Sequence, residues 1–308
     1  MTLRSRSAIA WALALVACTE PADSIDAAID GATRDAPSDA GFIDAAMSDG
    51  PIEIDAANCT VSCAAPGCAC PPLTWVRVAD PDGDDVDVLA TEVTQAQYDA
   101  MLAAGVVADI TSPDCGWNSS LVPGEGLASA GCDAWVFDPV GDGELPVACG
   151  DWCDARAFCE YVGGRLCGVS PLLVDAELTR AGADDWFNAC SSAGRYPDYP
   201  YGDRYDGAAC VGSDHDGVPL FQAATDVARP VASATGCRGT AGPFDGLHDL
   251  AGNVAEWTAS CRSGSGPTSP CFFRGGSYRD GELGAACSRS VEGPRGGGLE
   301  HLGFRCCR

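Results

Sequence analysis

Nineteen cysteines in 308 residues constrain this chain more than any other feature. Cys18 stands apart near the start, and the other 18 run from Cys59 to Cys307, an even number. In an exported chain such a set reads as disulfides, which limit the unfolded ensemble and hold loop-rich folds together. Cys59, Cys63, Cys68 and Cys70 crowd one short segment. Their spacing includes C-x-C, so a zinc cluster is the competing reading, but no histidine lies near and the compartment reads as oxidising. Cys149, Cys153, Cys159 and Cys167 bracket one predicted helix. Cys306 and Cys307 are adjacent and poorly placed to bond each other, so each needs a distant partner. Spacing leaves the rest of the connectivity open.

The export reading comes from the first residues. Arg4 and Arg6 precede an apolar run, Ala8 to Val16, too short to span a bilayer. Leu15-Val16-Ala17-Cys18 then matches a bacterial lipoprotein processing box, which makes Cys18 the expected lipidated residue. An ordinary secretory leader is the alternative. Residues 1–18 are thus expected to be a signal peptide. Residues 19–57 are rich in Asp, Ala, Ser and Gly, with Ile-Asp-Ala-Ala at Ile25, Ile43 and Ile54. That composition cannot offset the entropy of ordering and predicts an acidic tether. Residues 58–72 form a Cys-rich junction, and 73–308 are long enough for one domain with its own core. No later segment is apolar enough for a membrane span. The formal charge is −26, and all 18 basic residues are arginine. This excludes nucleic acid as a partner and leaves the lipid as the only expected membrane contact. The expected location is the bacterial cell envelope.

Within the domain, Leu73 to Val78 alternates as a strand, Asp80 to Asp85 reads as a turn, and Asp87 to Ala90 as the return strand. Thr94 with Gln97 forms a capping box for a helix reaching about Ala104. Asp151 caps a second helix whose apolar positions are Trp152, Ala155, Phe158, Cys159 and Val162, with Gly163 to stop it. A third is expected from Ser170-Pro171. Between Trp186 and Phe244 the chain reads mostly as loop, with the tyrosines of Tyr196 to Asp203 covering a core edge or stacking on a ligand. Short strands, two or three helices and long loops give an α+β class.

Three blocks carry a family signature: Gly246 to Trp257 (G-L-H-D-L-A-G-N-V-A-E-W), Arg274 to Tyr278 (R-G-G-S-Y), and Gly303 to Arg308 (G-F-R-C-C-R). With Glu92 to Tyr98 and the stretch from Pro146 to Leu166, they resemble the formylglycine-generating enzyme family of sulfatase-modifying factors. The resemblance implies a C-type-lectin-like fold and, in active members, copper-dependent oxidation of a sulfatase cysteine.

Asp249 and Glu256 flank the turn pair Gly252-Asn253, which can fold carboxylates and carbonyls onto one point. The resemblance assigns calcium to the side chains of Asp249 and Glu256 and the carbonyls of Gly252 and Val254, so a structural calcium is expected. The family's other calcium position, an asparagine, is Cys210 here, and no second site is expected. The family's two copper-binding cysteines correspond to Asp280 and Ala285. A carboxylate and a methyl cannot replace two thiolates, so copper is not expected. Arg274, Ser277 and Asp280 are then expected to line a vestigial cleft, with Arg274 free to pair with an acid in the core. Three histidines and no G-x-S-x-G elbow offer little to other chemistries. The reading is a non-catalytic domain, either a scaffold or a binder of a protein, peptide or glycan; the alternative is an active oxidase converting a sulfatase cysteine to formylglycine, or another enzyme on the same fold.

Overall fold

Alternating valines bring the ends of the domain together. In the computed structural model, which describes residues 59–79, 85–109, 111–125, 132–169 and 178–308, β1 (Trp75–Ala79) pairs antiparallel with β2 (Asp85–Leu89), Trp75 opposite Leu89. Val78, Val86 and Val88 point inward and are buried, as period-two burial requires. β2 also pairs with the two-residue strand β8 (Cys306–Cys307), and β3 (Arg165–Leu166) completes the order β1-β2-β8-β3. A second four-stranded sheet holds β4 (Ala255–Cys261), β5 (Pro270–Arg274), β6 (Ser290–Pro294) and β7 (Leu302–Phe304) in the order β6-β5-β4-β7. Its one parallel pair is β4 with β7. The described residues all fall within one unit, Ile52–Arg308. The signal peptide, Cys18, the tether, most of the Asp80 turn and the helix expected from Ser170 lie outside the described residues.

Both capping predictions hold. Helix α1 (Gln95–Ala103) starts from Thr94, whose Oγ1 accepts from Gln97 N at 3.3 Å while Gln97 Oε1 accepts from Thr94 N at 3.0 Å. Such a cap contributes about 1 kcal/mol. Helix α2 (Trp152–Tyr161) starts from Asp151, whose Oδ1 accepts from the N–H groups of Cys153 and Asp154. Its apolar face packs Phe158 against Tyr98 and Phe304, with ring centroids 5.7 Å apart in each pair. One helix, α3 (Asp185–Cys190), lies partly in the stretch expected to be loop. Its six residues are too few to show a 3.6-residue period, yet its cap at Asp184 follows the usual rule: Oδ1 accepts from Phe187 N at 2.7 Å. The Tyr196–Asp203 stretch does cover a core edge: Tyr199 is buried and stacks on Tyr201, with centroids 5.5 Å apart.

All 18 cysteines from Cys59 onward pair, in nine disulfides. The junction is closed by Cys59–Cys68 and Cys63–Cys70, which leaves no thiolates there for zinc. Cys306 bonds Cys159 of α2, and Cys307 bonds Cys167 just after β3, across 147 and 140 residues of sequence. In the chain-entropy account each such closure contributes on the order of 5 kcal/mol. Nine disulfides belong to an oxidising, extracytoplasmic compartment. Among the described residues no helix is long and apolar enough to cross a membrane.

Candidate functional site

Backbone geometry brings two of the signature blocks into contact. Asp249, Gly252 and Asn253 all take positive φ, at 59°, 93° and 56°. A Cβ on Gly252 would stand 2.5 Å from the Val211 carbonyl oxygen, so glycine alone fits. Gly252 N donates to Gly275 O at 2.8 Å, and Tyr278 N donates to Asn253 O at 2.9 Å. These bonds lay the Arg274–Tyr278 segment over the Leu250–Asn253 turn.

Beside this crossing lies a buried ionic group. Glu256 is 1 % exposed and Arg305 fully buried. Arg305 donates from Nε to both Glu256 carboxylate oxygens, at 2.9 and 2.7 Å, and from Nη2 to Oε1 at 2.6 Å. Its remaining N–H groups reach Leu89 O at 3.1 Å and His248 O at 2.8 Å. Trp186 Nε1 donates to Glu256 Oε2 at 2.7 Å. Two further carboxyls sit near. Burial pushes Glu92 well above the usual carboxylate range, and the charges of Asp249 and Glu256 push the same way. Burial raises Asp249 to about 6, opposed by the N–H of Ala232 that its carboxylate accepts.

This arrangement bears directly on calcium. The ion wants about six to eight oxygens turned toward one point. Both oxygens of Glu256 are turned toward Arg305 and Trp186 instead. The expected set of Asp249, Gly252, Val254 and Glu256 therefore does not fit a calcium ion held by Glu256: a guanidinium occupies the cationic place. Cys210 is bonded to Cys237.

The copper positions are equally specific. Asp280 Oδ2 accepts from Ser277 N at 2.9 Å and from Ser277 Oγ at 2.8 Å, while Asp280 N donates to Ser277 O at 2.9 Å. The carboxylate closes a turn. Ala285 is buried, and every described cysteine is in a disulfide. Two thiolates for copper(I) do not exist among these residues, and copper does not fit them.

The cleft expected at Arg274, Ser277 and Asp280 needs correction. Arg274 lies wholly inside the core, its Nη1 3.2 Å from Asp184 Oδ2, and both side chains have no exposure. Its guanidinium sits 4.9 Å from the Trp186 ring centroid, and Nη2 donates to Cys287 O at 2.8 Å. Burial raises Asp184 to about 6 although Arg274 pulls it down. So Arg274 does pair with a core acid, as expected, but it lines no cleft. Ser277 is fully buried and tied to Asp280, which alone of the three is partly exposed.

Residues 82–308 match the sulfatase-modifying factor enzyme 1-like domain. The chain belongs to that family. A mouse relative, named inactive C-alpha-formylglycine-generating enzyme 2, is 26 % identical over 229 residues, covering 69 % of this chain and 67 % of the relative. Among solved structures, CarF is 18 % identical with a TM-score of 0.48, covering 77 % of this chain and 98 % of CarF. PvdO from Pseudomonas aeruginosa is 18 % identical with a TM-score of 0.45, covering 77 % of this chain and 92 % of PvdO. Treponema denticola variable protein 1 is 16 % identical with a TM-score of 0.45, over 76 % of this chain and 94 % of that one.

Within this member of the sulfatase-modifying factor family, sequence reasoning missed the roles of Glu92 and Arg305. Both lie inside signature blocks, and an acid in one block with an arginine in another was the available signal. It also missed a cavity lined by the Pro146–Leu166 stretch together with the ends of β4 and β6.

Proposed function

We propose that this chain is a non-oxidising member of its family: an extracytoplasmic domain, tethered through lipid on Cys18, that binds a protein, peptide or glycan. One observation carries the reading. The position of the first copper cysteine holds Asp280, whose carboxylate is committed to Ser277, and all described cysteines are committed to disulfides. Oxygen activation on copper has no pair of soft donors to start from. The mouse relative's name, an inactive formylglycine-generating enzyme, supports the same direction. The cell envelope is the matching location, with the lipid on Cys18 as the membrane contact and no role for nucleic acid.

The test is direct. The purified protein is incubated with copper(I), oxygen and a peptide carrying C-x-P-x-R, and the peptide is weighed by mass spectrometry. No formylglycine should form under conditions where an active family member converts the peptide; turnover would overturn the proposal. A Cys18→Ala variant should move from the membrane fraction to the soluble one. If it stays with the membrane, the lipid anchor on Cys18 is wrong.

A further inference from the structure

A cavity of about 610 Å³ opens between α2, β3 and the ends of β4 and β6. None of its lining residues lies in the Gly246–Trp257 or Arg274–Ala285 segments. Its size is that of small-molecule sites, about 300–1,000 Å³. Four of the 18 basic residues, Arg156, Arg165, Arg262 and Arg295, line it against two carboxylates, Asp114 and Glu160.

Trp152 forms one wall. Its indole is held by Nε1 donating to Thr258 O at 2.8 Å, and the guanidiniums of Arg295 and Arg156 lie 4.8 and 5.9 Å from its centroid. Arg295 is the fixed element. Its side chain is 4 % exposed, Nε donates to Cys271 Sγ, and Nη1 donates to Asp114 O and Oδ1. Among the described residues no group accepts from its Nη2. Arg156 and Arg165 pair with Glu160 and Asp185, each with its own side chain roughly a third to a half exposed. Exposed pairs of this kind are worth about 0–1 kcal/mol, so an incoming anion can replace the internal partner. Arg262 pairs with Glu292. Every one of the four already holds a carboxylate, the group that matches the guanidinium fork.

We propose that this cavity binds a small ligand bearing two or more carboxylates, with its body against Trp152. The ligand places one carboxylate on Arg295 and displaces Glu160 or Asp185 with another. A free polycarboxylate and a uronic-acid sugar share this chemistry. The proposal deepens the binding reading above by giving it a site and a ligand class.

Isothermal titration calorimetry of the full chain, disulfides intact and at low salt, tests it with three probes: citrate, trigalacturonate and neutral maltotriose. At least one anionic probe should bind saturably and weaken as salt rises, and maltotriose should give no binding. Which anion binds tells the two sources apart. Arg156→Gln with Arg165→Gln, both partly exposed, should leave the melting temperature in place and weaken binding by about tenfold or more. Arg295→Lys, which keeps the charge and removes the fork, should weaken it too. Blank titrations with both anions, equal binding of maltotriose, or unchanged affinity in the double variant would overturn the site. A blank result leaves the absence of oxidase activity untouched, and peptide oxidation in the copper assay would leave an anion site standing.

Discussion

Replacing Arg305 with methionine should be among the most damaging single changes to this domain. The side chain is fully buried, and its N–H groups satisfy both Glu256 oxygens, Leu89 O and His248 O. Methionine fills comparable space and donates nothing. Glu256 is then a buried carboxylate with Trp186 as its remaining donor, near Glu92 and Asp249. Leaving one partner of a buried ion pair alone costs about 3–5 kcal/mol. Two stranded carbonyls add about 1 kcal/mol each where water cannot reach them. Adding Glu256→Gln removes the orphaned charge, so the double variant should recover at least about 1.5 kcal/mol of the loss, a coupling typical of residues in one network. The assay is guanidinium denaturation at unchanged slope with disulfides intact. A loss under about 1 kcal/mol, or strictly additive single and double variants, would refute the account of Arg305 as the local cation. Calcium supplies a second arm. A calcium site filled at a hundredfold excess over its dissociation constant would stabilise the parent by about 2.7 kcal/mol. Because Arg305 already occupies the cationic place, no such gain is expected, and a clear one would sink the argument.

Other consequences are open to measurement. Burial raises Asp151, Asp184 and Asp249 to about 6. A raised carboxyl favours the folded state fully below its ordinary pKa near 4 and loses that contribution as pH climbs through about 6. His248 and His301, lowered by burial, oppose this in the same window. Burial raises Glu92 and Asp154 as well, so five carboxyls stand against two histidines, and stability should rise by at least about 1 kcal/mol from about pH 7 to about pH 5; urea melts that show a fall contradict it. Replacing Cys159 and Cys306 together by serine should cost about 3–5 kcal/mol, read as a lower melting temperature, and a shift of only a degree or two would deny that loop closure matters here. Gly252→Ala should cost more than about 2 kcal/mol, since its Cβ meets Val211 O and its φ is left-handed; near-neutral behaviour in a denaturation series would show that this loop can relax.

The legible parts of the fold were local. Thr94 with Gln97, and Asp151 with the residues after it, specify caps within one turn, and the valines of β1 and β2 specify a face. Adjacency alone decided that Cys306 and Cys307 bond elsewhere. What escaped depends on partners far apart in sequence. Glu92, Glu256 and Arg305 meet only because β7 runs beside β4 and β8 beside β2. The cavity arginines come from α2, β3 and the residues after β4 and β6, so no spacing rule groups them. Asp280 is the instructive case. The Ser277-x-x-Asp280 spacing is itself a turn signal, and it was open to being read as one rather than as a lost ligand.

The double staple on β8 sets an order of events. Helix α2 and strand β3 both emerge long before their cysteine partners, 147 and 140 residues later. Until residue 307 has crossed into the oxidising space, the first sheet has no latch, and early thiols such as Cys159 and Cys167 stay exposed to wrong pairing. A chain with this wiring depends on whatever shepherds its sulfurs during that interval, and its yield in a foreign host should follow the supply of disulfide isomerase more closely than the rate of synthesis.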